Sequence, residues 1–347
     1  MSHPEPHPAD ATESAEDLHV LEPVSDDADS AYSELIDSNM SASLASSVLN
    51  YRYENGRRYH AYREGQYYLP NDEQEQGRLG MLHHIFILVL DGALFRSPLQ
   101  QISPQRVLDL GCGTGLWSIQ FADDLPQSLV IGVDLSPIQP NWVPPNCKFY
   151  VDDIESEWNY SQMEHFDYIH GRALCGSIAD WPGLFTQSFN NLKPGGWLEI
   201  QEVYFHIYDY DGSMDEAPNL KHWQALMTEA SRRFGRDLTT ANILKQYMED
   251  AGFVDVQEEI FKVPTGPWAR GRKFKELGKY SLMQWLDSVE PLSLALFTRV
   301  LEYTAEETKN IVSKVKGELL NPRLHTYLNF YFICGRKAGN WQPEGPA

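Results

Sequence analysis

Apolar residues in this chain gather into short unbroken runs separated by longer amphipathic stretches, the pattern of strands buried on both faces and joined by helices. Runs at 106–110, 129–134, 147–151 and 166–170 predict four strands, with a helix after Gly115 and another at 181–191. Asp180 serves as that second helix's cap and Pro182 as its first residue. The turn Lys193-Pro194-Gly195-Gly196 leads to a fifth strand, Trp197 to Val203. Helices near 219–234 and at 240–250, the latter stopped by Gly252, precede a strand from Val254 to Val263. Strands alternating with helical crossovers imply a largely parallel, doubly wound sheet covered on both faces. Upstream, Ser43 to Asn50 reads as a short helix and Asp72 to Leu90 as a longer one with an apolar second half. Between them, Tyr51 to Pro70 holds six tyrosines in twenty residues.

The first strand feeds Val107-Leu108-Asp109-Leu110-Gly111-Cys112-Gly113-Thr114-Gly115, an acid followed by three glycines at alternate positions. Glycine lets the backbone turn tightly and approach a ligand without a Cβ in the way, and such a turn holds a cofactor at the strands' carboxyl ends. The dinucleotide fingerprint requires a further glycine where this chain has Leu116, and no Lys or Arg lies between Arg106 and Lys148 to meet a di- or triphosphate. Asp109 would repel a pyrophosphate but can pair with an ammonium, directly or through water. S-adenosylmethionine carries an ammonium and no phosphate. Asp134 closes the second strand 25 residues later, where it can accept both ribose hydroxyls. Asp153 follows the third strand, placed for the adenine amino group, with Ile154 packed on the ring.

This ordered set resembles the motifs of class I S-adenosylmethionine-dependent methyltransferases. Two longer stretches narrow the resemblance to the fungal LaeA-like group. One runs from Arg58 through Tyr62-Arg63-Glu64-Gly65 and Pro70-Asn71-Asp72-Glu73 to Arg78 and His83-His84; the other runs from Phe166-Asp167-Tyr168-Ile169-His170-Gly171-Arg172 to Leu198-Glu199-Ile200-Gln201-Glu202. The resemblance covers about residues 45 to 337. It implies a Rossmann-like seven-stranded α/β sheet with an N-terminal cap, in which Val254 to Val263 and Leu324 to Gly335 are the last two strands. Residues 272 to 318 between them read as a helical insertion. The expected organisation is an acidic tail at 1–42, a tyrosine-rich cap at 43–95, a methyltransferase domain at 96–338 with an insertion at about 266–320, and a short tail at 339–347.

The expected cofactor contacts are Asp109, Gly111, Cys112, Gly113, Thr114, Asp134, Leu135, Asp153, Ile154, His170 and Arg172. Arg172 is read as reaching the methionine carboxylate or holding a loop acid. An activated methyl needs chiefly an in-line acceptor, and oxygen or nitrogen acceptors also need a base, for which His170, His60 and Glu202 are the candidates. An alternative for His170 is a structural role, fixing Arg172 or a backbone carbonyl. Tyr59, Tyr62, Tyr67, Tyr68 and Tyr204 are expected to wall an acceptor pocket, since tyrosine combines an apolar face with a polar tip; the cap could equally pack on the sheet for stability. The adjacent His83 and His84 point apart on a helix and lack the spacing of a zinc pair.

Composition fits a soluble enzyme of 347 residues with 42% apolar content. The N-terminus lacks the features of a signal peptide, and no apolar run could span a bilayer. Cys112, Cys147, Cys175 and Cys334 show no metal-ligand spacing and read as free thiols in a reducing compartment, which places the protein in the cytoplasm. The net charge is −21, and residues 1–40 hold 11 Asp or Glu and no Lys or Arg. That segment is expected to be disordered, solubilising or partner-binding, and the acidity argues against direct nucleic-acid binding. Two functions from different classes follow. One is an enzyme methylating a small secondary metabolite. The other, implied by the LaeA-like resemblance, is a nuclear regulator of secondary metabolism with velvet-domain partners. A binding-only pseudoenzyme predicts damaged cofactor acids, and all three are intact.

Overall fold

The computed structural model describes residues 50–63 and 65–339. The acidic tail and, but for Asn50, the helix expected at Ser43 to Asn50 lie outside the described residues, as does the C-terminus from 340. The described residues open with a hairpin of β1 (Arg52–Glu54) and β2 (Arg57–Tyr59), turning through Asn55-Gly56, both at positive φ. The tyrosine density had hidden this hairpin. Arg57 clamps Asp72 with two bonds of 2.6 and 2.9 Å, and Asp72 caps helix α1 (Glu73–Val89) by accepting from the Glu75 N–H.

The alternation then unfolds as β3 (Arg106–Leu110), α2 (Leu116–Asp124), β4 (Leu129–Asp134), β5 (Cys147–Val151), β6 (Phe166–Arg172), α3 (Trp181–Asn191) and β7 (Leu192–Asp209). After it come α4 (Pro218–Phe234), α5 (Leu244–Asp250), β8 (Val254–Pro264), α6 (Arg272–Val300), α7 (Ala305–Leu319) and β9 (Thr326–Arg336). The sheet order is β5-β4-β3-β6-β7-β9-β8, parallel as far as β7, with β9 antiparallel to both neighbours. This is the class I methyltransferase architecture.

Two local expectations need correction. Lys193 to Gly196 is not a turn ahead of a strand but an irregularity inside one: Leu192 already pairs with Phe166, the register shifts, and Trp197 pairs with Tyr168. A Cβ on Gly196 would lie 2.9 Å from the Asp167 carbonyl oxygen, so this close passage excludes a side chain. In α3 the first residue is Trp181, with Pro182 one place further in and Asp180 capping the Gly183 N–H.

Helices cover both faces. Phe205, Val263, Leu328 and Phe330 pack against α1, α4, α6 and α7 on one side, while Leu198, Ile200 and Ile333 meet α3 and α5 on the other. A third cluster joins β3 and β4 to α2 through Val107, Val130, Trp117 and Phe121. Among the described residues no helix is long and apolar enough to cross a membrane.

Candidate active site

The site begins at the carboxyl ends of β3, β4 and β6. Gly111, Gly113 and Gly115 have φ of +60, +56 and +76°, the left-handed region that makes glycine necessary here. The turn is fixed when the Gly113 N–H donates to Asp134 Oδ2 at 2.8 Å. Asp109 does not face this space as an open carboxylate. Ser118 Oγ donates to its Oδ2 at 2.5 Å and His170 Nδ1 lies 2.8 Å from its Oδ1, so both oxygens are engaged inside the protein. The ammonium contact expected of Asp109 would share its carboxylate with this serine and histidine, and Asp109 borders the cavity described next. His170 is fully buried and stacked on Trp117, with ring centroids 3.7 Å apart and planes 5° apart.

Two adjoining cavities run along these strand ends. A smaller one of about 460 Å³ is lined by Asp109, Gly111, Cys112, Gly113, Thr114, His170, Arg172 and His83. A larger one of about 930 Å³ is lined by Asp134, Leu135, Asp152, Asp153, Ile154, Arg172 and Tyr67. Asp134 also accepts from the Ser136 N–H at 2.9 Å; burial pushes its carboxyl up to about 6, while these backbone donors pull the other way. Asp153 accepts from the Glu155 N–H at 2.9 Å and lies 3.3 Å from Arg63 Nε. With Tyr62 donating to Asp152 at 3.4 Å, the segment after the hairpin is latched over the adenine end expected from sequence.

Arg172 borders both cavities. Its Nη2 donates to His83 Nδ1 at 2.6 Å, its Nη1 is buried without a partner, and its guanidinium lies 5.1 Å from the Phe86 ring centre. Burial lowers its pKa to about 10. Neither a loop acid nor His170 holds it. His83 is pushed down to about 4 by burial and then by the Arg172 charge; the neutral ring accepts from Arg172 at Nδ1 and so donates from Nε2 to Gln120 Oε1 at 3.0 Å. A buried cation with an unmatched donor suits a carboxylate. The methionine carboxylate, a ribose diol at Asp134 and an adenine between Asp153 and Ile154 therefore fit the residues present.

A third, mostly apolar cavity, about 800 Å³ including its mouth open to solvent, lies between α1, α6 and strands β7, β8 and β9. Leu82, Val203, Phe205, Leu238, Trp285 and Phe330 line it, with Tyr68 and Glu202. Ala173 borders all three cavities, at φ +56°, a strained backbone position for a residue with a Cβ. Glu202 accepts from the Leu174 and Cys175 N–H groups at 2.6 and 3.0 Å; burial pushes its carboxyl up to about 7.

The remaining sequence candidates scatter. His60 is buried beside Tyr59, Glu54 and Arg299 at a separate cavity of about 580 Å³, away from Ala173 and Glu202. Tyr59 belongs there too. Tyr67 borders both that cavity and the cofactor cavity. Tyr62 sits at the latch, and Tyr204 packs on the opposite face of the sheet near Tyr331 and Tyr208. Of the five tyrosines, only Tyr68 lines the apolar cavity. The sequence reading gave no chemistry to His83, Glu75, Gln284 or Ser281; His83 was noted only as half of a pair pointing apart, and His84 indeed packs elsewhere, on Tyr280. The cysteines Cys112, Cys147, Cys175 and Cys334 are free, and no group of metal ligands occurs among the described residues.

A family model described as a methyltransferase domain matches residues 81–258. The chain belongs to this methyltransferase family. Its curated relatives include the methyltransferase pytC of Aspergillus terreus, 38% identical over 85% of this chain and 90% of that protein. A protein-methionine methyltransferase laeA of Emericella nidulans is 36% identical over 82% of this chain and 76% of its own. The secondary metabolism regulator laeA of Aspergillus flavus is 35% identical over 83% and 78%. Among solved structures, phosphoethanolamine N-methyltransferase 2 of Haemonchus contortus with S-adenosyl-L-methionine aligns with a TM-score of 0.42 and 21% identity, over 76% of this chain and 57% of that one. The protein is an S-adenosylmethionine-dependent methyltransferase of the LaeA-like group.

Proposed function

We propose that this methyltransferase acts on a small, largely apolar secondary metabolite. The observation that carries the reading is the mostly apolar cavity that meets the cofactor cavities at Ala173. A small molecule can sit there with its acceptor atom at the junction. The hairpin with its following segment, and the helices between β8 and β9, act as cap and insertion around that cavity.

When bound, S-adenosylmethionine supplies an activated methyl group. Arg172, held by His83, takes the methionine carboxylate, and Asp134 takes the ribose. The apolar lining excludes water and orients the acceptor. Glu202 is the one base candidate that lines the acceptor cavity, and a carboxyl near 7 is suited to accept a proton at neutral pH.

A second reading, a LaeA-like regulator of secondary metabolism, is supported by relatives of that name matching more than four fifths of the chain; velvet-domain partners for it come from the family resemblance alone. One experiment separates the two: purified protein is incubated with methyl-labelled S-adenosylmethionine and extract of the producing cells. Label in small molecules supports the first reading; label confined to protein supports the second.

A further inference from the structure

The acceptor cavity carries charge in two places only, Arg78 and Glu202. Arg78 is not available to a ligand anion. Its Nε donates to Glu75 Oε1 and Oε2 at 3.0 and 2.9 Å and its Nη2 to Oε1 at 2.5 Å, within one turn of α1. Its Nη1 lies 2.8 Å from the Gln284 side-chain oxygen with that amide turned toward it. Ser288 Oγ is likewise satisfied, donating to the Gln284 backbone carbonyl at 2.6 Å. This network is electroneutral and closed.

Ser281 stands one turn before Gln284 on the same face of α6. It lines the cavity, is 4% exposed, and its hydroxyl is buried without a partner. A buried hydroxyl left unpaired is costly, and natural proteins rarely leave one without reason. In a largely apolar chamber this unused hydroxyl is a hydrogen-bonding point to which a ligand can add a match. An acid is disfavoured: the cavity offers it no unpaired cation, and Glu202 would repel it.

We propose that Ser281 is the specificity-determining hydrogen-bond partner of the acceptor, and that the acceptor is an uncharged, mostly apolar molecule bearing a carbonyl or hydroxyl oxygen. This rests on the small-molecule reading above and names the class of molecule. Acids and phosphates are excluded from the cavity, so the reaction that supplies the substrate must deliver it without a free carboxylate at that end.

The test uses full-length protein saturated with S-adenosylhomocysteine and three probes of one shape: 2-acetylnaphthalene, 2-ethylnaphthalene and 2-naphthoate. Binding is followed by calorimetry. The ketone should bind about fivefold more tightly than the hydrocarbon, as one neutral hydrogen bond allows, and the carboxylate should bind most weakly. Ser281→Ala should bring the ketone down to the hydrocarbon's affinity, while Ser281→Thr, which keeps the hydroxyl, should preserve the preference. Tightest binding by 2-naphthoate, or a ketone preference that survives Ser281→Ala, overturns the assignment and leaves the small-molecule reading standing. Failure of all three probes to bind overturns both.

Discussion

His170 and Asp109 lie opposite each other on β6 and β3, joined at 2.8 Å, with His170 stacked on Trp117 and Asp109 closed from its other side by Ser118. Two residues that border the smaller cofactor-side cavity also complete one another beneath the glycine turn. Asp109→Asn puts an amide where two donors converge and should cost about 2 kcal/mol of stability, read as a lower urea midpoint with unchanged slope. Normal stability with lost cofactor binding would return the carboxylate to the cofactor.

Arg172 and His83 should behave as one unit toward the methionine carboxylate. Arg172→Ala should weaken S-adenosylhomocysteine by about 1.5–3 kcal/mol, the range for hydrogen bonds to charged groups. It should leave 5′-methylthioadenosine, which lacks the amino-acid carboxylate, almost unaffected. His83→Ala should produce a smaller loss with the same selectivity, measured by calorimetry on both ligands. Equal losses for the two ligands would indicate a general disturbance of α1.

The glycine turn, the acid at each strand end and the succession of strands and helices along the chain were legible because each depends on local sequence: apolar runs, positive-φ glycines and the residue that ends a strand. The direction of Asp109 was not, since its partners Ser118 and His170 come from elements 9 and 61 residues away and no local pattern announces them. The hairpin at 52–59 was masked by tyrosines whose period suits neither face. Tyr204 was expected in the pocket along with the other tyrosines, but alternation along β7 sends Val203 and Phe205 to the acceptor face and Tyr204 to the other. His83 and Ser281 were invisible because their roles arise from what lies across the cavity.

Asp134 gives a pH dependence with a definite sign. Its folded-state pKa is raised to about 6, so the carboxylate proposed to accept the ribose hydroxyls is lost as pH falls through that value. Affinity for S-adenosylhomocysteine should rise between pH 5 and 7 and level off above. Asp134→Asn should weaken binding at pH 7.5 and flatten the profile. A wild-type profile that falls with rising pH would contradict the assignment.

Glu202 should set the pH dependence of turnover. With its carboxyl near 7, the basic form grows as pH rises through 7, and kcat should rise with it until the group is fully ionised. Glu202→Gln should keep one of the Leu174 and Cys175 N–H contacts through its amide oxygen while its NH2 faces the other donor, at some cost in stability; it should lower kcat by about 10²-fold and remove the limb near pH 7. A variant that retains both the rate and the limb would remove Glu202 from the chemistry.

The junction at Ala173 is tested most directly by a crystal structure with S-adenosylhomocysteine. The sulfur should lie against Ala173 and open toward the cavity lined by Glu202 and Ser281, with the carboxylate on Arg172 and the ribose on Asp134. A sulfur directed instead toward His60 and the hairpin, or sealed from the apolar cavity by Arg78 and Leu82, would contradict the assignment of that cavity to the methyl acceptor.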